Sequence, residues 1–288
     1  CSFCVVPYTR GHERMRPVAD ILAEVHAAAA TGRREVQLLG QIVNHYQAPD
    51  DLSCDFATLL ERVSQVSGID RIRFASPHPR HVTPALVAAI REIPAVCRHL
   101  HIPLQSGSSR ILALMRRRHT REDYLELVDR LRDAIPDVAL STDLIVGFPG
   151  ETEADFEDTM SLVERVDYHF LYSFKYSPRP NTLAMKRMPD DVPEAEKTRR
   201  IMALQALQRE TQMRRYGRMV GQIETVLVDA VSRRRASDLA GRTESNLVVN
   251  FHGPAEWIGR LMPLRIVEVS PNSLRGEVVT ETKRGESC

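Results

Sequence analysis

The chain is short of many features that would place it quickly. No apolar run approaches the ~18 residues a membrane-spanning helix needs, which excludes a helical anchor. Charge of one sign is missing too: 39 Lys and Arg stand against 38 Asp and Glu, a net +1 that exerts no global pull toward nucleic acid. There are five cysteines. The number is odd, and Cys54, Cys97 and Cys288 lie far apart with no ligand-like spacing. A disulfide framework is therefore excluded, a reducing compartment is indicated, and these three read as bystanders. No histidine pair has metal-ligand spacing backed by a third ligand. His12, His45, His78, His99 and His101 thus read as surface, core or substrate contacts. No general acid–base pair and no Ser/His/Asp arrangement stands out. There is no initiator methionine. A chain opening on Cys1 is expected to be a piece of a longer one, so the missing signal peptide says nothing.

What is present is ordinary in bulk and specific in detail. The 288 residues are 43% hydrophobic and 27% charged, enough for one large core and a small second domain. Short apolar strands alternate with amphipathic helices. Strands are expected at 35–39, 71–75, 99–104, 139–146 and 170–176. Helices are expected at 17–30, 56–66, 84–90, 109–115, 121–134, 153–166 and 193–216. Strict alternation predicts an α/β fold, a parallel sheet with helices outside it. A further strand ahead of Cys1 would give six β/α repeats, fewer than a closed eight-fold barrel, so a partial, open (β/α)6 barrel is expected. Loops at the carboxyl ends of its strands would converge on one face.

From Met219 the texture changes. Stretches 221–228, 245–251, 263–269 and 273–279 alternate and are separated by Gly, Pro, Ser and Asn. They predict a small antiparallel β-barrel, with Trp257 as packing inside it. The expected domains are 1–217 and 218–288. Basic clusters occur locally at Arg116-Arg117-Arg118, Arg199-Arg200, Arg214-Arg215 and Arg233-Arg234-Arg235. Each alone reads as a solvated face.

The most informative stretch is Cys1-Ser2-Phe3-Cys4, running into Val5-Val6-Pro7-Tyr8-Thr9-Arg10-Gly11. Two thiols three positions apart can grip one metal centre from a tight turn. Alone, the pair fits half a zinc knuckle, a redox pair, an iron–sulfur site or chance. It resembles the last two ligands of the C-x3-C-x2-C loop of radical S-adenosylmethionine (SAM) enzymes. The resemblance places the first cysteine four residues before Cys1. Leu38-Leu39-Gly40-Gln41, His101-Ile102-Pro103-Leu104-Gln105-Ser106-Gly107-Ser108 and Ser141-Thr142-Asp143-Leu144-Ile145-Val146-Gly147-Phe148-Pro149-Gly150-Glu151 extend the match. So do Lys175-Tyr176-Ser177-Pro178-Arg179-Pro180-Asn181-Thr182 and Gly241-Arg242-Thr243-Glu244-Ser245-Asn246. Together they resemble the MiaB-type tRNA methylthiotransferases, which end in a TRAM β-barrel. Ile42 stands where that family has Asn and Asn181 where it mostly has Gly, which leaves the local backbone shape open at both.

The resemblance implies a 4Fe–4S cluster held by Cys1 and Cys4 as thiolates. It implies SAM bound on the free iron near Phe3, Gly40, Gln41, Gln105, Ser106, Asp143 and Gly147. Phe3 would shield the cluster, Gly40 would allow close approach and Asp143 would accept from a hydroxyl. It further implies a radical that activates C2–H of an isopentenylated adenosine beside the anticodon (position 37), where sulfur and a methyl group are installed. A second 4Fe–4S cluster would sit on an N-terminal domain not included in this chain, so this piece alone is expected to be inactive. Expected partners are tRNA, an electron donor and a sulfur source, for a cytoplasmic monomer with no membrane contact. Arg233, Arg234, Arg235 and Arg242 are the expected RNA contacts. The alternatives are a sister enzyme acting on threonylcarbamoyladenosine or a ribosomal-protein aspartate, and an RNA-binding piece without catalysis.

Overall fold

A computed structural model describes residues 1–233 and 235–279. Contacts divide the chain into two compact units, Cys1–Gln212 and Met213–Cys288. The division falls inside one long helix.

The first unit runs α1 (Val6–Arg10), α2 (Val18–Ala30), β1 (Glu35–Leu38), α3 (Phe56–Ser64), β2 (Arg71–Phe74), α4 (Pro84–Glu92) and β3 (His99–His101). It continues with α5 (Ser109–Leu114), α6 (Arg121–Ala134), β4 (Ala139–Val146), α7 (Glu153–Val166), β5 (Phe170–Lys175), α8 (Leu183–Arg187) and α9 (Glu194–Gly217). β1 pairs with β2 in parallel, and β3, β4 and β5 form a second parallel run. The Ile72–Val96 bridge joins the two runs just ahead of β3. The result is an open arc of five parallel strands in chain order with helices between them, the partial barrel expected. Among the described residues β1 has no partner on its outer edge.

Local chemistry sets the element ends. Thr120 and Thr152 each open a helix with a capping box, answered by Asp123 and Asp155 at N3. Asp55, Thr83 and Ser108 cap α3, α4 and α5. β4 is buried along most of its length, as a central parallel strand must be, and it explains the apolar run Leu144–Val146. Alternate residues of β3, β4 and β5 face the helices, where Leu100, Leu140, Leu144 and Leu171 enter the core. The others face the concave side of the arc. Ser141 Oγ there lies 3.0 Å from both His99 Nε2 and His101 Nδ1.

The second unit is a closed barrel of β6 (Ile223–Val231), β7 (Asp238–Arg242), β8 (Val248–His252), β9 (Leu261–Ser270) and β10 (Ser273–Val278). Four of its five pairings are antiparallel, and β10 closes on β8 in parallel. Val226, Val249, Phe251, Leu264 and Ile266 fill it, with Trp257 packed against them as expected. β7 is the strand that alternation misses. Its Asp238 and Gly241 are poor strand formers, yet a Cβ on Gly241 would overlap Leu227 O, so only glycine lets β7 lie that close to β6. Residues 245–247, expected as strand, form a turn in which Asn246 takes a left-handed φ of 67°.

Candidate active site at the cysteine turn

The cysteine turn is held by its backbone. Ser2, 2% exposed, donates its N–H to Met115 O (3.0 Å) and its hydroxyl to Leu114 O (2.8 Å), both at the end of α5. Ser2 O accepts from Ala184 N (2.8 Å) in α8. Beneath it, Ile111, Met115, Phe148, Tyr176 and Ala184 form a buried apolar cluster against which Phe3 packs. Phe3 meets Phe148 edge-on at 6.1 Å, and Phe148 meets Tyr176 edge-on at 5.1 Å. Ring contacts and backbone bonds thus bring the cysteine turn against the end of α5, the turn after β4, the end of β5 and α8. Cys1 is exposed and Cys4 half-buried, while Cys54 and Cys97 are buried. Cys288 lies outside the described residues.

The turn after β4 is braced from below. Gly147, at φ 69°, donates its N–H to Glu151 Oε2 (2.5 Å). The Glu151 side chain is wholly buried and pairs with Arg200 Nη1 at 2.8 Å. Burial pushes the Glu151 carboxyl up, against the pull of Gly147 and Arg200. Asp155 ties this turn to α5, accepting from Ser108 Oγ (2.6 Å), Thr152 and Arg110. Its burial works toward a higher pKa, but those donors win and hold the carboxyl far below its ordinary range.

Asp143 sits on the concave face of β4, in register with Tyr172. Its Oδ1 lies 3.3 Å from His101 Nε2, and its side chain is 28% exposed, so it can accept from a hydroxyl presented there. Gln105 adopts φ 82°; its N–H donates to Asp143 O and its C=O accepts from Ile145 N. Ser106 is fully buried and its Oγ accepts from Ser108 N (3.2 Å). That hydroxyl braces the loop from within. Gly147 is glycine for two reasons: its φ of 69° closes a tight turn, and a Cβ there would overlap Lys197 Cγ of α9. Gly40 approaches its own chain, with Val43 Cα 3.0 Å from its would-be Cβ. Gly40 and the exposed Gln41 line a cavity of about 710 Å³ beside α2 and β1, together with Arg10, Met15, Ile21 and Leu38. Residues 10 and 12–16, which follow the cysteine turn, line the same cavity. Asn181, at φ 68°, shows why Asn replaces Gly there, since it tolerates the left-handed region.

Four imidazoles lie in a row behind the β3 loop. His45 and His81 rings are 4.6 Å apart, His78 and His81 5.8 Å, and His78 and His119 5.7 Å. Burial, with Arg117 next, pulls His78 down to about 3 and His119 to about 4. Burial does the same to His99, held at about 3. Burial thus favours the neutral form of His78, His99 and His119 in the folded protein, whereas an unfolded imidazole titrates near ~6.5. The stability they confer is complete above that value and drains away as pH falls through it toward the folded values. His119, 8% exposed, alone makes unfolding easier by up to ~1.4 kcal/mol per pH unit in that window. Urea unfolding between pH 7.5 and 5 is expected to steepen accordingly, and His119→Gln to flatten the dependence. An equally steep curve for the variant refutes the assignment.

The barrel arginines differ in their surroundings. Arg242 ends β7 instead of lying in the next loop. Its Nη1 donates to Asn246 O (3.3 Å) and Oδ1 (3.2 Å), and its Nε lies 3.6 Å from Asp229, so it braces the β7–β8 turn. Arg233 and Arg235 are exposed between β6 and β7, and Arg234 lies outside the described residues.

The radical SAM superfamily pattern matches residues 1–163, more than half of the chain. The chain belongs to the radical SAM superfamily. This membership brings an iron–sulfur cluster and SAM as its cofactors. The donor set suits it: two soft thiols on one turn that Phe3 anchors on Phe148. A TRAM domain pattern matches residues 217–279, the five-stranded barrel. The chain is 50% identical over 281 residues to a tRNA-2-methylthio-N(6)-dimethylallyladenosine synthase of Methylococcus capsulatus, covering 97% of this chain and 61% of that one. A synthase of the same name from Magnetococcus marinus is 50% identical, with 97% and 64% covered. One from Haemophilus influenzae is 46% identical over 288 residues, with 99% and 60% covered. The chain thus spans about three fifths of these relatives' length. Among the described residues no helix is long and apolar enough to cross a membrane.

One residue of this radical SAM site escapes sequence reasoning. Arg117 reads as part of a solvated basic run, but it is 7% exposed while Arg116 and Arg118 point outward. The only signal available was its place two residues after Met115, where α5 ends.

Proposed function

We propose that the chain is the catalytic and RNA-binding part of a tRNA methylthiotransferase acting on C2 of N6-isopentenyladenosine at position 37. The observation that carries this reading is the 50% identity over nearly the whole chain to synthases of that name. The cluster and SAM together supply one-electron chemistry able to activate an unreactive C–H bond. Cys1 and Cys4 would hold iron as thiolates, and Phe3, packed on Phe148, fixes the turn. Gln105 and Gly147 shape the loops around the cofactor, with Ser106 bracing from behind. Gly40 and Gln41, on the wall of the neighbouring cavity, would hold part of SAM. Asp143, oriented by His101, accepts from a hydroxyl of cofactor or substrate. Arg233, Arg234, Arg235 and Arg242 lie along the RNA path, where each phosphate contact makes affinity fall with salt. The reading includes a second 4Fe–4S cluster on an N-terminal domain of the full-length protein, an electron donor, a sulfur source, and a cytoplasmic monomer.

The test is product analysis. Full-length protein, reconstituted anaerobically with iron, sulfide, SAM and a reductant, is incubated with isopentenylated tRNA, and nucleosides are analysed by mass spectrometry. The 2-methylthio derivative is expected. Modification of threonylcarbamoyladenosine or of a ribosomal-protein aspartate instead would move the assignment to a sister enzyme.

A further inference from the structure

Arg117 is the buried cation closest to the cysteine turn. Its Nη2 donates to Pro103 O (2.8 Å) and its Nη1 to Cys1 Sγ (3.2 Å), while its buried Nε has no partner. Among the described residues no carboxylate lies within ion-pair distance of it. A guanidinium taken out of water needs a compensating anion, and a neutral carbonyl does not provide one. Burial, the largest influence on it, disfavours its charge, and Cys4, Asp143 and Tyr124 offset this only at longer range. The backbone enforces the placement. Arg116 and Arg118 both take left-handed φ values, 57° and 58°, and turn outward, so Arg117 and His119 point inward. Pro103 belongs to the loop after β3, so the fork bridges that loop and the sulfur at once. A lysine, with a single point charge, lacks this geometry.

We propose that Arg117 is a positioning residue for the iron–sulfur site, donating a charge-assisted hydrogen bond to the Cys1 sulfur and thereby raising the reduction potential of the cluster held there. The proposal rests on reading Cys1 and Cys4 as cluster ligands. Reduction adds negative charge to the cluster, and a cation hydrogen-bonded to a ligand sulfur stabilises the more negative state. The same bond fixes the Cys1 rotamer before metal arrives.

Electron paramagnetic resonance-monitored redox titration of the reconstituted full-length protein tests this. Arg117→Met is expected to keep its iron and move the midpoint potential in the negative direction, while Arg118→Met, with the same charge change on an outward side chain, stays at the wild-type value. A wild-type potential for Arg117→Met, or an equal shift for Arg118→Met, overturns the proposal and leaves the ligand assignment standing. If Arg117→Met loads no iron, Arg117→Lys decides. Iron with a potential below wild type supports the role; no iron, or a wild-type potential, overturns it. Wild-type protein that binds no iron at all removes the ligand assignment, and the proposal with it.

Discussion

Full-length protein carrying Cys4→Ser is expected to finish anaerobic reconstitution with iron and sulfide near background and to form no methylthiolated nucleoside. The sulfur of Cys4 is a soft ligand suited to iron, whereas a serine hydroxyl is a hard donor that is not. The turn itself should survive. It is anchored by Ser2 to α5 and α8 and by Phe3 on Phe148, none of which involves the Cys4 sulfur. Stability should therefore move by no more than ~0.5 kcal/mol, as for other substitutions outside a core. Cys54→Ala is the contrasting variant. Cys54 is fully buried in the core, so its loss lowers stability and leaves iron content intact. Iron retained in Cys4→Ser, or lost equally in Cys54→Ala, would sink the ligand assignment.

The largest expected loss of stability comes from Arg200→Met. Arg200 is the cation beside a carboxylate with no exposed side-chain surface, and it also donates to Glu151 O (3.0 Å) and to Glu196 (2.8 Å). Removing one partner of such a pair leaves an uncompensated buried charge, typically a cost of about 3–5 kcal/mol. The consequence is local as well as global, because Glu151 accepts the Gly147 N–H that closes the turn under Phe148. Glu151→Gln keeps an acceptor for Gly147 and removes the charge. Arg200→Met combined with Glu151→Gln should therefore recover much of the loss, which chemical denaturation of the four proteins measures as a coupling energy. A single-variant loss below ~1 kcal/mol would mean that water already reaches the carboxylate.

Legibility differed by kind of feature. β4, α6 and α7 stand where the periodicity places them, because each combines a long pattern with a capping threonine or a glycine stop. β7 was illegible because its residues serve closeness to β6 more than strand propensity. α1 and α8, five residues each, are too short for a period to show. Within the site, Gly147 is legible as a turn residue, and its φ of 69° agrees, but the crowding by the Lys197 side chain, fifty residues away, is not legible.

The amino-acid sequence by itself determined the alternation of strands and helices, the change to a small barrel after Met219, and the residue types gathered at the cysteine turn. Those follow from local period, turn chemistry and the softness of sulfur. Only the tertiary structure decided which polar groups are spent on structure and which face open space. Ser106 and Arg242 proved to be braces, Asp143 faces the concave side with His101, and one arginine of three turned inward to a sulfur. Burial and partners are properties of residues far apart in the chain, and nothing in the neighbouring letters encodes them.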